Sequence, residues 1–192
     1  MTTPSRNVVV AFDFTPTSRP ALRSAIALAD RDPQNTLHFL CVAEPHREVP
    51  GVPRHGPVDY AYAAQVEALL TDELTRELRL ADLTRRVQFF VHVRIGKPAA
   101  EILMLAREVG ADLIIVGTKG LTGVEHVVLG SVAEKVVREA RCTVEIARPK
   151  TYPQVERLNV VEVEQRHHYV PPHRYTYADR RLQFRPDDWP LY

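Results

Sequence analysis

Five short apolar runs alternate along this chain with stretches in which apolar residues recur every three or four positions. Asn7 to Phe12 is nearly continuous in apolar residues, the pattern of a strand covered on both faces. Thr36–Ala43, Val87–Ile95, Leu113–Val116 and Cys142–Ile146 repeat that pattern, so five strands are expected. Ala21, Leu22, Ala25, Ile26, Leu28 and Ala29 recur at helical spacing, with Thr17 or Ser18 to cap the helix and Pro20 tolerated in its first turn. Val58 to about Leu83 reads as a long amphipathic helix, with Val66, Leu69, Leu70, Leu74, Leu78 and Leu80 on its apolar face. Gly96-Lys97-Pro98 leads into a helix from Ala99 to about Val109, which Gly110 ends, and Val132 to Ala140 makes a fourth. Between the second strand and the long helix, Glu44 to Pro57 holds Pro45, Pro50, Gly51, Pro53, Gly56 and Pro57, so no regular element is expected there. Strands alternating with helices predict an α/β domain, a parallel sheet with helices on both faces.

The fourth strand runs into a loop with unusual glycine spacing. Gly117, Gly120 and the pair Gly130-Ser131 form a G-x2-G-x9-G-S pattern, and Ser131 stands where the fourth helix begins. Glycine lets a backbone come close to a bound group, and a helix start offers unpaired N–H groups and a positive dipole end. Together they suggest a phosphate cradle, and hence a nucleotide. The alternative is that the glycines serve tight turns and Ser131 only caps its helix. A P-loop is excluded, because no G-x-x-x-x-G-K-[ST] is present.

With its glycine loop, the chain resembles the ATP-binding branch of the universal stress protein family. The resemblance also rests on Val8-Val9-Val10-Ala11-Phe12-Asp13, on Gly96-Lys97-Pro98-Ala99-Ala100-Glu101-Ile102, and on the runs Ala111–Gly117 and Cys142–Ile146. It covers residues 5 to 149 and leaves 150 to 192 as an extension. It implies a five-stranded parallel sheet of order 3-2-1-4-5, with ligands at the carboxyl ends of the strands where the order reverses. Asp13 and Gly117, which end strands one and four, both fall there. By resemblance, Asp13 contacts the ribose or adenine side of the nucleotide; otherwise it is a carboxylate capping the first helix at Thr17. Val42 would pack near adenine, or belong to the ordinary core. Gly117, Thr118, Gly120, Gly130, Ser131 and Val132 would surround ribose and phosphates. Lys119 either neutralises phosphate charge or points to solvent.

The implied cofactor is ATP, with Mg2+ or Mn2+ held through its phosphates. The implied activity is that of a nucleotide-dependent stress-response module, a homodimer paired through strand 142–147. The extension directly follows that strand and could cross onto the other subunit or cover the nucleotide. Two other functions compete. One is a slow ATPase or phosphoryl-transfer enzyme, with Glu125 and His126 as candidates for ordering water; no arginine stands as a finger, so little or no turnover is expected. The other is a non-nucleotide scaffold whose cleft is covered by its own tail.

Composition narrows the rest. Hydrophobic residues make up 45% of the 192, enough for a packed core, and the net charge of +1 gives no electrostatic reason to expect nucleic acid as a partner. No apolar run approaches membrane-spanning length, and no signal-peptide core follows Met1, so a cytoplasmic protein is expected. Cys41 and Cys142 form no metal pattern and read as buried small hydrophobes. In the extension, residues 158–163 could form one extra strand. The Pro-, His- and Tyr-rich tail after it reads as extended, and the spacing of His167, His168 and His173 matches no common metal site.

Overall fold

The computed structural model describes residues 6–83, 87–118 and 129–149, all within the unit Met1–Lys150. The strand expected at 158–163, the tail after it, and Lys119, Gly120, Glu125 and His126 lie outside the described residues.

The elements follow one another as β1 (Asn7–Ala11), α1 (Arg19–Arg31), β2 (Thr36–Ala43), α2 (Tyr60–Leu80), β3 (Gln88–Ile95), α3 (Pro98–Glu108), β4 (Leu113–Gly117), α4 (Ser131–Glu139) and β5 (Thr143–Ala147). The five strands form one sheet in the order β3-β2-β1-β4-β5, and every pairing is parallel. The expected α/β architecture and strand order are therefore those observed.

Alternation along the central strands separates two cores. Val8 and Val10 of β1 point to one face with Phe39, Ile115, Leu22 of α1 and Leu70 and Leu74 of α2. Val9 points to the other with Leu40, Ile114, Ile102 and Leu105 of α3 and Val136 of α4. A strand in the middle of such a sheet has no wet face, so its residues are apolar in succession rather than in alternation. That is why β1 and β4 read as unbroken runs. Gly110 ends α3 as expected: it follows the C-cap Val109 and takes φ 60, a conformation glycine adopts without Cβ penalty.

Two local expectations are corrected, and a third is borne out with an addition. The helix expected from Val58 begins at Tyr60, because the Asp59 side chain accepts a hydrogen bond from the Tyr62 amide and caps it there. Ser18 occupies the N-cap position of α1, but its hydroxyl makes no cap bond; it donates to the Thr15 carbonyl at 3.0 Å and accepts from the Asp13 amide at 3.4 Å. The proline-rich loop holds no helix or strand, as expected, but it is braced. Val49 and Val52 form an isolated antiparallel bridge, and both are buried.

Candidate functional site

The cleft opens at the carboxyl ends of β1 and β4, where the strand order reverses. Among the described residues its walls come from five places. The end of β1 gives Phe12 and Asp13, and Val42 and Glu44 come from the end of β2 and just beyond it. The start of α3 gives Pro98 and Ile102, and the end of β4 gives Gly117 and Thr118. The start of α4 contributes Gly130, Val132 and Ala133. Six residues singled out from the sequence thus meet in one cleft: Asp13, Val42, Gly117, Thr118, Gly130 and Val132. Ser131 does not line it. It is the exposed first residue of α4, beside the cleft, and Gly130 rather than Ser131 holds the N-cap position.

Asp13 is placed by a tight turn. Its Oδ1 accepts from the Thr15 amide at 3.1 Å and from the Thr15 hydroxyl at 2.6 Å. Phe14, between them, has φ 61, a left-handed conformation that costs a residue with a Cβ about 1–2 kcal/mol. An edge-on contact between the Phe12 and Phe14 rings, 5.1 Å between centroids, helps to hold it. Strain of this kind persists only where its surroundings enforce it. Asp13 Oδ2 has no partner among the described residues, so one oxygen of the carboxylate remains to accept from a ligand.

Across the cleft, the Gly130 amide donates to the Thr118 carbonyl at 2.7 Å. This bond closes the base of the glycine loop and aims the start of α4 at the cleft. Gly117 has a different reason to be glycine. A Cβ there would stand 2.3 Å from the Thr17 carbonyl oxygen and 3.1 Å from Ser18 Cα. Its lack of a side chain lets the turn before α1 pack directly on the end of β4.

Cys41 lies behind this wall and faces the core. Burial, and then the Asp13 carboxylate, push its thiol up to about 12, so it is no nucleophile at neutral pH. No group of three or more His, Cys, Asp or Glu side chains among the described residues could hold a metal ion. Nor is any helix among them long and apolar enough to cross a membrane.

Sequence reasoning missed Glu44, Arg47, Ser18, Pro98 and Ile102 as cleft residues. Pro98 and Ile102 belong to the G-x-P-A-x-x-I element, which was a usable signal. Glu44 and Arg47 stand in the proline-rich loop and carried none.

Comparison with known proteins agrees with the fold. Residues 4–148 match the universal stress protein family. Universal stress protein Sll1388 of Synechocystis sp. is 26% identical over 148 residues, covering 73% of this chain and 96% of that one. The structure of UspA from Lactobacillus plantarum superposes with a TM-score of 0.59 at 22% identity, over 77% of this chain and all of that one. A universal stress protein in complex with cAMP superposes with a TM-score of 0.55 at 24% identity, over 76% of this chain and 98% of that one.

Proposed function

This chain belongs to the universal stress protein family, and from that premise we propose that its cleft binds an adenine nucleotide, ATP foremost, and that occupancy regulates partners through a homodimer. The observation that carries this reading is the polarity of the cleft. On the β1 and β2 side stand the carboxylates Asp13 and Glu44, which only accept hydrogen bonds, with the Arg47 guanidinium paired to Glu44. On the β4 side stands the start of α4, which offers amide donors and a positive dipole end. A nucleotide has the complementary ends: hydroxyl and amine donors on ribose and base, and an anionic phosphate chain.

In this reading Val42 packs against the base, Asp13 Oδ2 accepts from ribose, and the backbone at Gly117, Thr118 and Gly130 to Val132 surrounds the phosphates. Lys119 and Gly120, assigned to the phosphate end from the sequence alone, lie outside the described residues. The relative solved with cAMP supports an adenine ligand. Mg2+ or Mn2+ would be held mainly by phosphate oxygens. The homodimer would form through β5, which pairs only with β4 among the described residues and so presents an open edge. No observation among the described residues favours hydrolysis over binding.

The test is the nucleotide content of the purified full chain after denaturation, compared with Gly130→Val, which adds a branched side chain at a residue lining the cleft. Adenine nucleotide released by the wild type and absent from the variant is the expected result. Equal nucleotide from both would remove the glycine loop from the site. Sedimentation equilibrium then reads the dimer, and a mass of one chain at all concentrations would refute that part.

A further inference from the structure

Glu44 and Arg47 stand in the cleft wall just past β2, where neither the strand pattern nor the glycine loop draws attention. They form one unit. The Arg47 amide donates to the Glu44 carbonyl at 3.1 Å, closing a turn, and Arg47 Nη1 donates to Glu44 Oε1 at 3.1 Å. Glu44 Oε2 has no partner among the described residues. The guanidinium thus fixes the carboxylate and leaves one acceptor oxygen available.

The loop that carries this pair is braced. Arg54 Nη1 donates to the Pro45 carbonyl at 2.7 Å. The buried Tyr62 hydroxyl of α2 accepts from the Val49 amide at 2.8 Å and donates to the Val52 carbonyl at 3.1 Å. Holding a side chain in place before a ligand arrives removes much of the ordering cost of binding.

Strand order then says which part of a ligand meets this pair. The start of α4 lies past the end of β4, and β4 and β2 flank β1 on opposite sides. The two ends of the cleft are therefore two strand spacings apart, about 10 Å. A nucleoside whose phosphates lie at α4 and whose ribose meets Asp13 brings its base to the β2 end.

We propose that Glu44, held by Arg47, is a specificity-determining residue that accepts a hydrogen bond from the exocyclic amine of the base and so selects a 6-aminopurine. This rests on the nucleotide reading of the cleft above. Arg47 acts through Glu44, as a positioning residue.

The test is a calorimetric cycle on the full chain with two probes, ATP and the 5′-triphosphate of purine riboside, which differ only by the 6-amino group. Wild type should prefer ATP by about ten-fold or more, the worth of one hydrogen bond to a charged acceptor. In Glu44→Ala the preference should fall to within about three-fold, with a wild-type circular dichroism spectrum showing the variant to be folded. Arg47→Met should narrow the preference without abolishing ATP binding. Equal binding of the two probes by wild type, or an undiminished preference in Glu44→Ala, would overturn the role of Glu44 while leaving the nucleotide site standing. Failure of both nucleotides to bind wild type would overturn both.

Discussion

Gly117 meets the Thr17 carbonyl so closely that a Cβ at 117 would stand 2.3 Å from that oxygen. The last residue of β4 and the turn entering α1 therefore pack backbone to backbone, across the point where the strand order reverses. The contact is with main chain on both sides, so neither partner can rotate away.

Gly117→Ala is accordingly expected to destabilise the protein by about 1–3 kcal/mol, the usual cost of overpacking a tight site. It should also displace the Asp13 turn, which shares residues 15 to 18 with the contact. Urea denaturation followed by circular dichroism measures the first effect. Wild-type stability in Gly117→Ala would show that the contact relaxes.

A second prediction concerns pH. His38 Nδ1 and His92 Nε2 lie 3.1 Å apart on β2 and β3. Asn7 Nδ2 donates to the Val109 carbonyl at 2.8 Å, which turns its Oδ1 toward His38 Nε2 at 3.4 Å. His38 therefore carries its proton on Nε2 and accepts from His92 through Nδ1. The Phe90 ring stacks on His38. Burial, and then His92, lower the pKa of His38; burial, and then Arg94, lower that of His92, partly opposed by Glu108. Both folded values fall below the ordinary 6.5. The unfolded chain therefore binds more protons than the native one as pH drops through 6.5. Stability is full above that value and falls below it. In His92→Gln the loss between pH 7 and pH 5, read from urea midpoints, should be smaller than in wild type. An equal loss would contradict the account.

The loop that carries Glu44 depends on one hydroxyl. Tyr62→Phe leaves the Val49 amide and Val52 carbonyl without that partner, at a cost of about 1–3 kcal/mol. Limited proteolysis should then cut between residues 44 and 57 faster than in wild type. An unchanged cleavage rate would show that the Val49–Val52 bridge suffices alone.

The thiol of Cys41 gives a simple check on packing. Its burial and its pKa near 12 predict that iodoacetamide at pH 8 leaves it unmodified in the native protein and alkylates it after unfolding. Peptide mass mapping reads this directly. Prompt native alkylation would mean that β2 opens locally.

The parts of the molecule legible in the sequence were those fixed by local pattern. Val8 to Val10 and Ile114 to Val116 read as buried parallel strands because both their faces are covered. Gly110 read as a helix end because its conformation needs glycine. What was not legible depended on distant partners. Prolines and glycines between Glu44 and Pro57 correctly ruled out helix and strand, but the order of that loop comes from Tyr62, a residue of the next helix. Ser18 has the composition of a cap, yet the Asp13 turn claims its hydroxyl. The spacing of Gly117 suggested close approach to a ligand, whereas the close approach visible in the structure is to Thr17. Six of the nine expected binding residues share one cleft, Ser131 is an exposed residue between two that line it, and Lys119 and Gly120 lie outside the described residues.

The most direct test of the account is a calorimetric titration of the full chain with Mg-ATP, repeated on Asp13→Ala. The account predicts saturable binding at one site per chain, weakened about ten-fold or more when the carboxylate is removed. No saturable binding by wild type, or equal affinity in Asp13→Ala, would contradict it.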